Sequence, residues 1–251
     1  MNRFGVPKVF EYLKQNSDCF VIIGGVAAYL ALLDKGLPFR ETHDFDIVIL
    51  ADGTDEAFNT GILRLLKDGG YERAVVNSKS VYYRFINPKQ SEYPKVIELF
   101  AKNNTLLNRR LEKIHIAKDG EELSAIVLDD DMFNFINEHK IVSEAGLPIV
   151  DSLGLIVLKI YAYYKNKELY EQGKVTGQDK FEKHKRDVIR LLLSLTPEEN
   201  RISLNTMIKN YCKSFVDVLA ESGQTHKELT HNTVELERTI ELYKSIFVTN
   251  E

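Results

Sequence analysis

Residues 22–32 read IIGGVAAYLAL and residues 40–50 read RETHDFDIVIL, and these two stretches decide the fold. An apolar run meets two glycines, a small-residue apolar segment follows, and a second apolar run opens on two aspartates one residue apart. The first pattern predicts a short buried strand, CFVIIGG, turning at Gly24–Gly25 into a helix that starts near Val26 and stops near Gly36. The second predicts a strand, HDFDIVIL. Residues i and i+2 of a strand share a face, so Asp44 and Asp46 project side by side while Phe45 and the IVIL run bury the rest. Two carboxylates held in parallel repel each other, and burying them uncompensated is costly. A divalent cation between them removes both objections, and oxygen-only donors select a hard ion, Mg²⁺ or Mn²⁺. The glycines suit the same chemistry. A strand–Gly-Gly–helix turn lets backbone N–H groups approach phosphate oxygens and directs the positive end of a helix at them.

A third carboxylate comes from KVIELF, where Glu98 is flanked by Ile97 and Leu99. If that strand lies beside HDFDIVIL, Glu98 faces the aspartates and completes a site able to hold a second ion and activate an attacking hydroxyl. Each piece alone has an ordinary structural reading as a turn, a loop end or a solvent-facing strand residue. The joint order is the specific signal.

Working outward, residues 6–16 predict an amphipathic helix with Val9, Phe10 and Leu13 on one face. DEAFNTGILRLLKDGGYE predicts a helix closed by Asp-Gly-Gly. VYYRFI and KVIELF predict a strand pair joined by the turn-rich NPKQSEYP. EKIHIAK and SAIVL read as weaker strands, DMFNFINEHKIVSE as a helix, and LPIV leads into a long helix from about Ser152 to Tyr170. Helical periodicity dominates from there, in QDKFEKHKRDVIRLLLSL, PEENRISLNTMIKNYCKSFVDVLAES and NTVELERTIELYKSIF, with GKVTGQ as a loop and no strand expected after residue 151. The composition shift sets a boundary near 145–152. The expected architecture is an α/β (α+β) mixed sheet with flanking helices over residues 1–150, then a helical bundle over 151–251.

The chain has 251 residues, 44% of them hydrophobic, and a formal net charge of −4, so no global basic field announces nucleic acid, although a local basic patch stays open. Cys19 and Cys212 lie far apart without metal-ligand spacing and read as buried or free thiols in a reducing compartment. No signal peptide is visible. The longest apolar run, LGLIVLKIYAYY, is interrupted by Lys159 and falls short of a membrane span. The expectation is a cytoplasmic protein with no membrane partner.

The order Gly-Gly, Asp-x-Asp, later strand carboxylate resembles the nucleotidyltransferase superfamily. GGVAAYLALLDKGLPFRETHDFDIVI, with Arg40 and Thr42 leading into the aspartates, resembles its AbiEii/AbiGii-type toxin branch. That branch also shows a lysine in a helix after the core, here Lys159 in SLGLIVLKIYAYY, and a basic segment ending in aspartate, here KHKRDVIRLL with Lys183, His184 and Asp187. The resemblance spans roughly residues 20–195 and does not extend to the helices after 197. It implies a metal-dependent transfer of a nucleoside monophosphate from an NTP to an acceptor hydroxyl on tRNA, a protein or a small molecule. It also implies the toxin of a toxin–antitoxin or phage-defence system, with an antitoxin protein as partner. Asp44, Asp46 and Glu98 would hold Mg²⁺ or Mn²⁺ and, with Lys159, carry catalysis. Gly24, Gly25, Arg40, Thr42, Lys183, His184 and Asp187 would bind the nucleotide. One departure is His184, which stands where the family often has the first of two acidic residues. Rival readings are a nucleotide- or partner-binding module without turnover, and a phosphotransferase that modifies small molecules.

Several residues keep two readings. Lys159 either snorkels or is buried, paired and directed at the triphosphate. KHKRD is either a solvated helix face or part of the site. Arg40 contacts phosphate or pairs with Glu41 or Asp44. His43 reads as structural, and His115 and His139 show no partner at metal spacing. The acidic run 129–131 reads as a helix N-terminal cap, and Tyr161, Tyr163 and Tyr164 as bundle core and edge rather than stacking platforms.

Overall fold

The computed structural model describes residues 3–50, 55–76, 79–102, 126–128, 130–196, 202 and 204–248. By internal contacts the chain divides into two units: residues 1–34 with 40–151, and residues 35–39 with 152–251.

The first unit is mixed α/β. Helix α1 (Val6–Leu13) is followed by a 3₁₀ stretch to Cys19, strand β1 (Phe20–Ile23), helix α2 (Gly24–Leu33) and strand β2 (Asp44–Ile49). Then come helix α3 (Glu56–Gly69) and strands β3 (Glu72–Val76), β4 (Lys79–Ile86), β5 (Val96–Lys102) and β6 (Ile126–Leu128). Helix α4 (Asp130–Glu138) and strands β7 (Lys140–Val142) and β8 (Pro148–Val150) complete it. The strands form one mixed sheet in the order β3-β4-β5-β2-β1-β8-β7, with β6 pairing the far end of β5. β1 and β2 are antiparallel, β2 and β5 parallel, β4 and β5 antiparallel.

The reasons are local and tertiary together. β1 and β2 are short, β-branched and aromatic. Phe20, Val21, Ile22, Phe45, Ile47 and Val48 are fully buried at their centre, each contributing about 1.5–3 kcal/mol on removal from water. α2 is apolar on every side and buried from Gly25 to Leu32 against β1, β2 and β8, as a helix without a polar face must be. α3 starts at Asp55, whose carboxylate accepts from the Phe58 N–H at 2.8 Å, and ends at Gly70 in the left-handed region. Its Phe58 stacks on Phe20 of β1.

The structure differs from the sequence expectation in three places here. ERAVV forms β3, which the pattern did not announce. DMFNFINEHKIVSE is not one helix: α4 stops at Glu138, and Lys140–Val142 turn back on β8 as an antiparallel pair. The turn between β7 and β8 is made at Gly146, which sits at φ 76, a left-handed conformation that glycine adopts without a Cβ clash. The first helix is also shorter than 6–16, its C-terminal part tightening to 3₁₀. EKIHIAK, with His115, and Asp129 lie outside the described residues. α4 begins at Asp130, with Asp130 and Asp131 in its first turn.

Every described element of the second unit is a helix: α5 (Ser152–Glu171), α6 (Asp179–Leu192), α7 (Thr206–Ala220), α8 (Gly223–Thr230) and α9 (Leu236–Phe247). α5 packs along α6 and against α7, and α9 packs on α7. Tyr163 meets Phe181 and Phe215 edge-on, Tyr164 stacks on Tyr211, and Tyr243 stacks on Phe247, so these aromatics pack against one another. Residues 35–39, expected inside the first domain, cluster with this unit, where the Lys35 ammonium donates to the Ser194 carbonyl at 2.8 Å. Among the described residues no helix is long and apolar enough to cross a membrane.

Candidate functional site

Sheet register places the acidic residues in one transverse row. Asp46 of β2 is the register partner of Glu98 of β5, and Glu98 is the partner of Arg84 of β4. On the other side Asp46 pairs with Ile23, the last residue of β1 before the glycine turn. Paired residues on neighbouring strands share a face, so Arg84, Glu98 and Asp46 lie side by side. Asp44 sits two residues before Asp46 on that face. Val48, two residues beyond Asp46, is fully buried. The acidic face is therefore open only at the head of β2.

The glycines wall this row. Gly24 sits at φ 73, and a Cβ there would overlap the Asp46 Oδ2 atom. A Cβ on Gly25 would overlap the Thr42 hydroxyl. Only the absence of side chains lets the start of α2 approach Asp46 and Thr42 this closely. Ile23, at the N-cap of α2, brings no capping oxygen to the first-turn N–H groups. Thr42 is buried, whereas Arg40 lies at the surface and donates to the Glu41 carbonyl at 3.0 Å. His43 is exposed and lies 3.7 Å from Glu41.

Arg84 is the residue that the sequence reading missed. Its Nη1 donates to Glu98 Oε1, and its Nη2 lies 3.4 Å from Asp44 Oδ1. One planar guanidinium thus bridges two of the three carboxylates. The sheet sets Ile86 against Val96, Phe85 against Ile97 and Arg84 against Glu98, one residue off the count outward from the NPKQSEYP turn, which would set Arg84 against Ile97 on the other face. Burial raises the Glu98 pKa above the usual carboxylate value, the Arg84 charge opposes that rise, and the Asp44 charge adds to it. Arg84 is thus set against Glu98 and Asp44, while Asp46 stands beside Glu98 in the row.

A divalent ion is what the family resemblance implies here. The donor chemistry fits: three carboxylates, oxygen only, on one face, with the Glu98 pKa raised by burial and by the Asp44 charge. The arrangement is not preformed, because among the described residues no group of three or more His, Cys, Asp and Glu side chains is set to hold a metal ion. Arg84 stands between Glu98 and Asp44 instead.

A cavity of about 750 Å³ lies beside the row, lined among others by Arg3, Lys8, Thr42, His43, Tyr93 and Lys95. Thr42 is common to the cavity wall and the glycine turn, while none of the three carboxylates lines the cavity. The cavity therefore adjoins the acidic row without containing it.

The other expected site residues belong to the helical unit. Lys159 of α5 is buried, and its ammonium lies 3.0 Å from Asp187 Oδ2 of α6. Asp187 is fully buried and also has Arg190 Nη1 at 3.5 Å. Of the two readings of Lys159, the structure shows burial and pairing, and the partner is Asp187. Lys183 and His184 lie on α6 within one turn of Asp187 and are half-buried. His139 lies with its Nδ1 3.1 Å from Asp151 Oδ2. Cys19 and Cys212 are free thiols. Burial pushes Cys19 to about 11 and Cys212 to about 12, so neither is a thiolate nucleophile at neutral pH.

Comparison with protein-family models, with curated proteins and with solved structures returns no match.

Proposed function

We propose that this chain is a divalent-metal-dependent nucleotidyltransferase, with a nucleotidyltransferase-like sheet followed by a helical bundle. The reading is carried by one observation: Gly24, in a left-handed conformation, closes against Asp46 in the row Asp46–Glu98–Arg84. Asp44, Asp46 and Glu98 hold Mg²⁺ or Mn²⁺. The ion, when bound, neutralises phosphate charge and lowers the pKa of an attacking hydroxyl. Gly24 and Gly25 bring backbone N–H groups of α2 to the triphosphate. Thr42 fixes the turn from below, and the adjoining cavity supplies room for nucleoside or acceptor. The reaction is attack of an acceptor hydroxyl oxygen on the α-phosphorus, forming that P–O bond and breaking the bond to the β-phosphate bridging oxygen. Pyrophosphate leaves, and the hydroxyl proton passes to Glu98 or solvent. Positioning and charge neutralisation supply most of the rate. The resemblance to the AbiEii/AbiGii-type branch supports a toxin role with a cognate antitoxin.

Arg84 supports a second reading. A guanidinium that already neutralises two carboxylates suits a nucleotide- or partner-binding module without turnover. The test is transfer of label from each α-³²P NTP to cell extract, tRNA and purified protein. Asp46→Asn keeps shape while removing a charge, so it is expected to fold normally and to lose transfer by at least about a hundredfold. Transfer retained in Asp46→Asn overturns the metal assignment. Tight NTP binding with no label transferred favours the binding module. Label moving from γ-³²P and not from α-³²P identifies a phosphotransferase.

A further inference from the structure

We propose that Arg84 is a built-in counter-ion that holds the acidic row closed and that a divalent metal must displace it to enter. The inference rests on the metal-binding reading above and goes beyond it by naming what competes with the metal. Three observations on the strands carry it. First, Arg84 and Glu98 are register partners, so the guanidinium is delivered to Glu98 by the sheet itself. Second, the same guanidinium reaches Asp44 on a third strand, two positions along from the Asp46–Glu98 pair. Third, the Glu98 side chain is only 15% exposed while those of Arg84 and Asp44 are 38% and 41% exposed. The fork is anchored on its inner carboxylate and open to water on its outer one.

Those facts define a device. Without a cation, Glu98 and Asp44 repel each other, and Glu98 is too buried to be comfortable as an anion. Arg84 relieves both conditions. A divalent ion on Asp44, Asp46 and Glu98 relieves them better, since it carries twice the charge and accepts all three carboxylates. Both cations draw on Glu98 and Asp44, the two carboxylates that Arg84 engages. The ion and the guanidinium therefore compete, and the affinity for metal is lowered by the stability of the arginine fork. The side chain of Arg84 is half-exposed, so it leaves toward solvent without repacking the core.

The test uses the full-length chain and Mn²⁺ alone, with affinity read by the loss of the free-ion paramagnetic resonance signal. Arg84→Gln keeps hydrogen-bonding capacity but removes the charge and is expected to bind Mn²⁺ at least about tenfold more tightly than the wild type. Arg84→Lys keeps one charge without the fork and is expected to fall between them. It also serves where Arg84→Gln fails to fold. Asp46→Asn in each background is expected to abolish the site and so shows that the ion counted is the one at the row. Tightening in the order wild type, Lys, Gln, lost with Asp46→Asn, supports the proposal, even where the wild type alone binds too weakly to measure. Equal or weaker Mn²⁺ affinity in the Arg84 variants, with Asp46-dependent binding in the wild type, overturns the proposal and leaves the metal reading standing. No Asp46-dependent binding in any background overturns both.

Discussion

The molecule contains two clusters of buried or half-buried charge, one in each unit, and they are built on opposite principles. In the helical unit Asp187 is fully buried, with the nearly buried Lys159 at 3.0 Å and Arg190 at 3.5 Å. In the sheet unit Arg84 is set against Glu98 and Asp44, and Asp44 is open to solvent. A cluster buried in this way holds two helices in one register. A cluster whose Asp44 and Arg84 reach solvent can exchange its cation. Exposure, more than the presence of acidic residues, separates a candidate site from a structural brace.

The comparison is broken most directly at Asp187. Asp187→Ala leaves Lys159 buried without its carboxylate, and the helical unit is expected to lose about 3–5 kcal/mol of stability. The chain has no tryptophan, so the measurement is urea unfolding followed by far-ultraviolet circular dichroism. A loss below about 1 kcal/mol, the scale of a solvated pair, would make the two clusters alike.

Gly24→Ala comes next. The left-handed backbone costs about 1–2 kcal/mol for a residue with a Cβ, and here that Cβ also overlaps Asp46 Oδ2. Gly36→Ala is the control: it sits at φ 70 with nothing within 4 Å of the added Cβ. Gly24→Ala is expected to lower the melting temperature more than Gly36→Ala and to remove nucleotide binding. Equal shifts would show that the close approach of α2 to the acidic row does not exist.

The smallest effect is a pH dependence confined to the helical unit. His226 is almost fully buried, with its Nε2 2.9 Å from Thr239 Oγ1, and burial lowers its pKa while Glu235 and Glu237 partly restore it. The folded protein therefore holds the neutral ring. That stability is fully present above the unfolded value, about 6.5, and is lost as pH falls through the depressed folded value. Urea midpoints measured from pH 8 to pH 5 should decline more steeply in the wild type than in His226→Gln. Parallel curves would remove His226 as a source of acid sensitivity.

Much of the sheet was legible because the signals are local. Period two put Asp44 and Asp46 on one face, and a glycine pair between an apolar strand and a small-residue helix placed the start of α2 to within two residues, at Gly24 rather than near Val26. The pieces that escaped are short or depend on partners. β3 is five residues of mixed polarity and β7 three, and each is a strand because a neighbour completes its hydrogen bonds. The helix expected over 197–222 is α7, which starts only at Thr206 behind the Asn205 cap, and Gly223–Thr230, assigned to no element by its sequence, forms the short helix α8.

Local pattern alone set the residue types and the faces they occupy: two glycines at a strand-to-helix turn, two aspartates and a glutamate in strands, and a lysine in an apolar helix. Their partners came from tertiary packing. Parallel pairing of β2 with β5 set Asp46 beside Glu98, antiparallel pairing of β4 with β5 set Arg84 beside Glu98, and packing of α5 on α6 gave Lys159 to Asp187. The reason is physical. Periodicity follows from backbone geometry over a few residues, whereas register and partner choice are set by which distant surfaces bury together, and no local pattern carries that information.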